Sequence, residues 1–338
     1  MALTENRIVV VGLGSIGRRH ARLLQSRGDL QVEWCETSPE ALSLARREMG
    51  EPSVLHPTFA AVLDSPPAMA VIATPHAMHA DQAIAALEAG WHVLCEKPLS
   101  DSLERARAMA AAAENVKTVF TVGFQMHFHP AVKRVKALME AGELGSIHHV
   151  HAHVGTYITL VNSRSRYQAS LPGALLMDYA HQPDLFHHLL SQRPAGVYAK
   201  GGQGGSLPLQ SNPNFVALIC DYGTPLISTI HLNYLQMPDR NKLEVVGDRG
   251  WLALDLLQGE LLLGRQSDSS TAREVFANER DVWYRDEHAA FLAAIAGERP
   301  PASPARDALV SSEVIQAALQ SLATGRRVPL DGTRQAGV

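Results

Sequence analysis

The chain has 338 residues, 46% of them hydrophobic and 19% charged, with a formal net charge of -4. That length allows two domains with separate cores, and the balanced charge without a Lys/Arg run excludes a nucleic-acid-binding footprint. The short, glycine-interrupted apolar stretch of "MALTENRIVVVGLG" reads as neither a membrane span nor a secretory signal. Cys35, Cys95 and Cys220 are odd in number, far apart and set in apolar runs, which predicts buried free thiols in a reducing cytoplasm.

The first 120 residues alternate β-rich runs with helical stretches. "RIVVVGLG" (7–14) is a strand, "SIGRRHARLLQSRG" (15–28) a helix, "LQVEWCE" (30–36) a strand, and "SPEALSLARREMG" (38–50) a helix with Ser38 as N-cap and Pro39 in its first turn. "AMAVIATP" (68–75) and "WHVLCEKP" (91–98) are strands around the helix 79–90. A helix over 101–115 opens with Asp101 and Glu104 spaced as a capping box, and 117–124 is the sixth strand. Such alternation, with near-continuous apolar strands, predicts a doubly wound parallel sheet over residues 1–123.

From residue 124 to 338 the texture changes. A helix over 130–145 leads to the alternating strand 146–155, then to one helix over 173–190. Meander strands follow, with turns at Tyr222-Gly223-Thr224 and Asp248-Arg249-Gly250. This predicts an α+β domain with a large, mostly antiparallel open sheet covered by helices on one face. The Gly/Ser/Pro-rich stretch 200–214 is expected to be a surface loop.

"GLGSIG" (12–17) matches G-x-G-x-x-G between the first strand and first helix. Gly12 permits the turn, Gly14 lets a pyrophosphate approach the backbone, and Gly17 lets helix and sheet pack closely. Leu13, Ser15 and Ile16 complete the loop, whose helix start offers free N–H groups to phosphates. Glu36, at the tip of the second strand, can accept ribose hydroxyls and repels a 2′-phosphate, and no Arg adjoins Thr37. NAD is therefore expected over NADP. The carboxyl end of the fourth strand places Ala73, Thr74, Pro75 and His79 at the cofactor, although a capping or packing role fits His79 equally well.

"HVLCEKPLS" (92–100) carries Glu96, Lys97 and Pro98 out of the fifth strand. At that end of a parallel sheet Lys97 can donate to a substrate oxygen and stabilise charge as a C–O bond changes order. Glu96 either holds the cofactor or tunes the lysine, and Pro98 restricts Lys97 to extended backbone. The competing reading is a surface ion pair.

These motifs, with "TPHAMHA", "EKPLS", "GFQMHFHPAVKRVKALMEAGELGSI", "GALLMDYAHQPDLF" and the late "LEVVGDRGWLALDL" and "YRDEHAAFLAAI", resemble the Gfo/Idh/MocA oxidoreductases over nearly the whole chain. The resemblance implies a Rossmann domain, a second domain whose open sheet assembles a homo-oligomer (dimer or tetramer), and hydride transfer at a sugar or polyol carbon. It carries the family's lysine onto Lys97 and its Asp…His…Asp element onto Asp178, His181 and Asp184. His181 is then the candidate general base, with an imidazole suited to that work near neutral pH, and Lys97 is the alternative proton acceptor. Asp178 and Asp184 orient His181 or bind sugar hydroxyls. Asp178 and His181 stand one residue closer than in many members, and His127 stands where the family commonly has Arg. Gln125 reaches toward the nicotinamide or the substrate. Tyr157, Arg164, Arg166 and Tyr167 could shape a substrate pocket, or merely decorate a solvated loop.

His149, His151 and His153 share one face of their strand, as a metal cluster would, but no Cys or carboxylate follows at ligand spacing. No metal is expected, and an oligomer interface or half-exposed face is the better reading. The expected activity is an NAD-dependent dehydrogenase of a sugar, aminosugar, nucleotide sugar or polyol. An NAD-dependent glycoside hydrolase with transient oxidation, or a non-catalytic NAD sensor, would use the same fold.

Overall fold

The computed structural model describes residues 6–157, 159, 167–169 (Tyr167 by its backbone alone), 171–207, 211–267 and 269–330. The chain forms two compact units, Met1–Phe128 with Glu279–Ser312, and His129–Asn278 with Glu313–Val338.

The first unit is built on six parallel strands, β1 (Arg7–Val11), β2 (Gln31–Cys35), β3 (Leu55–His56), β4 (Met69–Ile72), β5 (His92–Glu96) and β6 (Phe120–Gly123). Their order is β3-β2-β1-β4-β5-β6, so the order of strand addition reverses between β1 and β4 while all strands stay parallel. Sheets of this kind bind ligands at that crevice, beyond the carboxyl ends of the strands. Both faces are covered, and every residue of β4 and β5 is buried, which explains the unbroken apolar runs. The helices between them are α1 (Ser15–Gln25), α2 (Pro39–Met49), α3 (Phe59–Leu63), α4 (His76–Glu88) and α5 (Leu103–Glu114). Ser38 caps α2 as expected, accepting from Ala41 N. On α5 the expected capping box gives way to Ser102, whose hydroxyl accepts from Arg105 N, while Asp101 takes the Ser100 hydroxyl instead. The shorter hydroxyl side chain sits one residue nearer the first turn.

The second unit begins with α6 (Pro130–Glu140) and β7 (Ile147–Gly155). The helix expected over 173–190 is broken into α7 (Ala174–Asp178) and α8 (His181–Leu190). Pro183, in the first turn of α8, lacks the N–H that a continuous helix would need there. The strands β8 (Gly196–Gly202), β9 (Phe215–Asp221), β10 (Ile227–Asn233), β11 (Arg240–Gly247), β12 (Gly250–Asp255), β13 (Glu260–Arg265) and β14 (Thr271–Val275) follow. With β15 (Val328–Pro329) they form a nine-stranded sheet in the order β14-β13-β12-β11-β7-β10-β9-β8-β15. Among the described residues of this sheet, only β7 and β10 pair in parallel. The stretch expected to be a loop from residue 200 instead continues β8 through Gly202.

One face of this sheet carries Val150, Ala152, Val154, Leu218, Ile230 and Val245, all buried. The other carries the three β7 histidines together with Tyr198, Ile219, Val246 and Trp251, which are 37–45% exposed and mark an open face.

The chain then returns to the first unit with α9 (Arg280–Ile295). Phe291 lies in the core with Ile8, Val10, Leu24, Trp34 and Val71, and Leu292 and Ile295 pack beside it. The division is therefore not the single cut after residue 123 that the change of texture implied. A helix carries no trace in its own sequence of which sheet its apolar face will meet. Burying Phe291 alone is worth about 2–3 kcal/mol to the first unit.

Candidate active site

The glycine loop follows β1 and opens α1. Gly12 has φ +88°, and a side chain there would lie 2.9 Å from Thr74 N. A Cβ on Gly17 would lie 1.8 Å from the carbonyl oxygen of Gly12, so helix and turn meet backbone to backbone. Gly14 has open space where its Cβ would be, and no side chain caps α1. Its first turn, Ser15, Ile16 and Gly17, holds no acidic residue. This cradle fits a pyrophosphate, which would take N–H groups that no side chain satisfies.

Glu36 follows β2. One carboxylate oxygen accepts Leu13 N at 2.6 Å, and the other accepts Thr37 N at 2.8 Å and Ser38 N at 2.7 Å. The side chain thus ties the glycine loop to the end of β2. A carboxylate has about four acceptor positions, so these three bonds leave room for a ribose hydroxyl.

Ala73 continues β4 by donating to Val11 O at 2.8 Å, and Pro75 is the N-cap position of α4. The Thr74 hydroxyl donates to Gln82 Oε1 at 2.6 Å. His79 is buried, with both ring nitrogens 2.9 Å from carbonyls, those of Pro98 and Thr74. That gives His79 a bracing role between the turns after β4 and β5, the packing alternative of the sequence reading. Burial holds its imidazole below its ordinary pKa, so the neutral ring donates to one carbonyl at a time.

At the end of β5, Glu96 is 6% exposed and Lys97 half-buried. Glu96 Oε2 accepts the Lys97 backbone N–H at 3.1 Å, and Oε1 lies 3.0 Å from His20 Nε2. Burial works to raise the Glu96 pKa, but the His20 hydrogen bond and the Lys97 charge outweigh it and hold the carboxyl below its ordinary value. Beyond β6, Gln125 is 4% exposed and its Oε1 has no partner among the described residues. An orphaned buried acceptor there suits an N–H or O–H of a bound molecule. His127, in the same short 3-10 helix, is satisfied by the Ser303 hydroxyl at 3.1 Å.

In the second unit, Asp178 ends α7 and His181 begins α8, with Tyr179 and Ala180 between them. Asp178 accepts from the Tyr234 hydroxyl and from Gln168 Nε2 at 3.3 Å. Burial first, and the Asp178 charge second, push the Tyr234 phenol far above its ordinary range, so it stays a donor and Asp178 an acceptor. His181 is half-buried, while Asp184 is 3% exposed within α8. Tyr157 donates its N–H to Gln236 O at 3.2 Å. Arg164 and Arg166 lie outside the described residues. Sequence reasoning missed Tyr234 and Gln168, because a phenol in a strand and an amide in a loop carry no signal until the fold aims them at one carboxylate.

The β7 histidines bond to protein: His149 Nε2 and His151 Nδ1 lie 3.0 and 2.8 Å from the Thr229 hydroxyl, and His153 Nε2 lies 2.9 Å from Gln236 Oε1. Among the described residues no group of three His, Cys, Asp or Glu side chains could hold a metal ion, and no helix is long and apolar enough to cross a membrane. Cys35, Cys95 and Cys220 are buried and unpaired.

Comparison with known proteins agrees with this architecture. The model of an oxidoreductase family with an NAD-binding Rossmann fold matches residues 6–124, and that of the GFO/IDH/MocA C-terminal domain matches residues 132–253. Inositol 2-dehydrogenase 2 of Paenarthrobacter aurescens is 29% identical across 94% of this chain and 96% of its own. Among solved structures, levoglucosan dehydrogenase in complex with NADH has a TM-score of 0.86 at 21% identity, covering 96% of this chain and 99% of that one. Myo-inositol 2-dehydrogenase from Lactobacillus plantarum has a TM-score of 0.81 at 20% identity, with coverages of 96% and 99%. At such identities the structures speak for the fold, and the two family matches speak for descent. The chain belongs to the GFO/IDH/MocA family of NAD-binding oxidoreductases.

Proposed function

We propose that the chain is an NAD-dependent dehydrogenase acting on a secondary hydroxyl of a sugar, aminosugar, nucleotide sugar or polyol. The observation that carries the reading is the cradle at α1, uncapped and side-chain-free at Gly14, with the Glu96–Lys97 turn at the end of the same parallel sheet. Relatives that dehydrogenate inositol and levoglucosan support the substrate class. NAD supplies the hydride acceptor. Leu13 to Gly17 would hold its phosphates and Glu36 its ribose, whose diol suits a carboxylate better than a 2′-phosphate would. Ala73, Thr74, Pro75 and Gln125 would line the remainder.

Lys97 donates a hydrogen bond to the reacting oxygen and stabilises its growing negative charge. His181 takes the hydroxyl proton, and Asp178 and Asp184 orient it or bind neighbouring hydroxyls. Tyr157, Arg164 and Arg166 would contribute to substrate selection. The open face of the nine-stranded sheet, with its exposed Tyr198, Ile219 and Trp251, is read as the surface through which copies assemble. The three unpaired buried cysteines support a cytoplasmic setting.

The test is a panel of sugars, polyols and sugar nucleotides offered with NAD and with NADP, following absorbance of the reduced cofactor. Reduction of NAD by a polyol or sugar, lost in H181A, is expected. Release of an aglycone from a glycoside without net NADH would replace the dehydrogenase with a hydrolase. Tight NAD binding without turnover of any compound would leave a sensor.

A further inference from the structure

Lys97 stands beside a polar cluster that the proposed chemistry does not use. His20, on α1, is fully buried, and its Nδ1 lies 2.7 Å from Nε2 of His288, which is 2% exposed on α9. His20 Nε2 lies 3.0 Å from Glu96 Oε1. Tyr284, Glu287, His288 and Phe291 recur at helical spacing on one buried face of α9, so this helix brings the cluster as well as part of the core.

Hydrogen-bond polarity orders the chain of contacts. An ionised carboxylate only accepts, so His20 donates through Nε2. If His20 carries a single proton, its Nδ1 accepts and His288 donates through Nε2. His288 Nδ1 is left without a proton and needs no acceptor, and that atom has no partner among the described residues. Both contacts then point toward Glu96. Its second oxygen holds the Lys97 N–H at 3.1 Å, so both oxygens are fixed. Room for the carboxylate comes from Gly123, where a Cβ would sit 3.2 Å from Glu96 Cδ. The Tyr284 ring closes the cluster edge-on to His20 at 5.1 Å between centroids.

We propose that His288 and His20 form a buried relay that orients the Glu96 carboxylate, making both histidines positioning residues for Lys97. The kinetic consequence rests on the reading of Lys97 given above, but the relay itself does not. Besides the histidines, Glu96 interacts with Lys97, the residue that follows it, His79 of α4, and Tyr284 and Glu287 of α9, while Arg27 acts on His288. Burial first, and the neighbouring Glu96 second, push the Glu287 carboxyl well above its ordinary value, which disfavours a second negative charge beside Glu96.

The experiment is amine labelling of Lys97 across pH, read by peptide mass spectrometry on the intact chain, for wild type, H20Q, H288Q, E96Q and the double variant E96Q/H288Q. Loss of the Glu96 charge removes a negative neighbour of the ammonium, so E96Q lowers the labelling midpoint. H20Q and H288Q shift it in the same direction by a smaller amount, and adding H288Q to E96Q shifts it no further. A midpoint unchanged in both histidine variants while E96Q moves it would overturn the relay. If H20Q does not fold, H288Q carries the same test, because it leaves the His20–Glu96 contact in place. Steady-state kcat separates the two proposals. A K97A variant that still turns over defeats the role of Lys97 without touching the labelling result, and an unchanged midpoint defeats the relay whatever K97A does.

Discussion

Two groups of histidines divide this molecule instructively. His20 and His288 are sealed in the first unit, touch each other and end on a carboxylate. His149, His151 and His153 stand in a row on the open face of the second unit's sheet, half-buried, and end on a hydroxyl and an amide. The row is conspicuous in the sequence, where "HHVHAHV" imitates a metal site. The sealed pair is invisible there, its members 268 positions apart. Spacing advertises the row, and yet its hydrogen-bond partners are neutral. Partner chemistry and burial, not density of imidazoles, mark the sealed pair as the one that can govern a charge.

The sharpest way to press this difference is at the charge that the sealed pair faces. K97A is expected to lower kcat about 1,000-fold while NAD still binds, measured by steady-state kinetics and by titration of the cofactor. Next in size is the packing around the cluster. F291A removes a core side chain one turn beyond His288 and should cost the first unit about 3 kcal/mol or more in denaturant unfolding. A loss below 1 kcal/mol would mean that α9 is not the wall described above.

Acid and alkali then pull the cluster in opposite directions. Burial raises the folded-state pKa of Glu287 above its ordinary 4.5. Its contribution to stability is present below pH 4.5 and lost as pH rises toward the folded-state value. Burial, and next the neighbouring His20, lower the pKa of His288 below its ordinary 6.5, so its contribution is present above pH 6.5 and lost as pH falls. E287Q should therefore abolish the alkaline loss, up to about 1.4 kcal/mol per pH unit, and leave the acid loss intact. Parallel stability–pH curves for variant and wild type would refute this. Smallest of all is the exposed row. H153N gives up one half-buried hydrogen bond and should change stability by less than about 1 kcal/mol, with kcat unaltered.

Much of the first unit was legible because its signals are local. A glycine that must turn, a serine that caps and a strand buried on both faces each leave their mark within a few residues. Gly12, Gly17, Ser38 and the run from His92 to Glu96 all stand where pattern alone put them. The misreadings share one cause. Whether residues 173–190 form one helix depends on a proline's missing N–H in the first turn of α8, and the ownership of α9 depends on which sheet its apolar face finds. His20, His288 and Tyr234 escaped notice for the same reason, since each acquires its meaning from a carboxylate far away in the sequence.

The return of α9 also bears on how the protein comes off the ribosome. Residues 1–128 emerge first, yet the apolar surface that receives Phe291, Leu292 and Ile295 stays uncovered until segment 279–312 has been made. All of β7 to β14 is translated in the interval. The nucleotide-binding unit is started before the second unit and completed only after β14, so a translational pause before residue 279 would hold its core half open, exposed to chaperones and to aggregation alike.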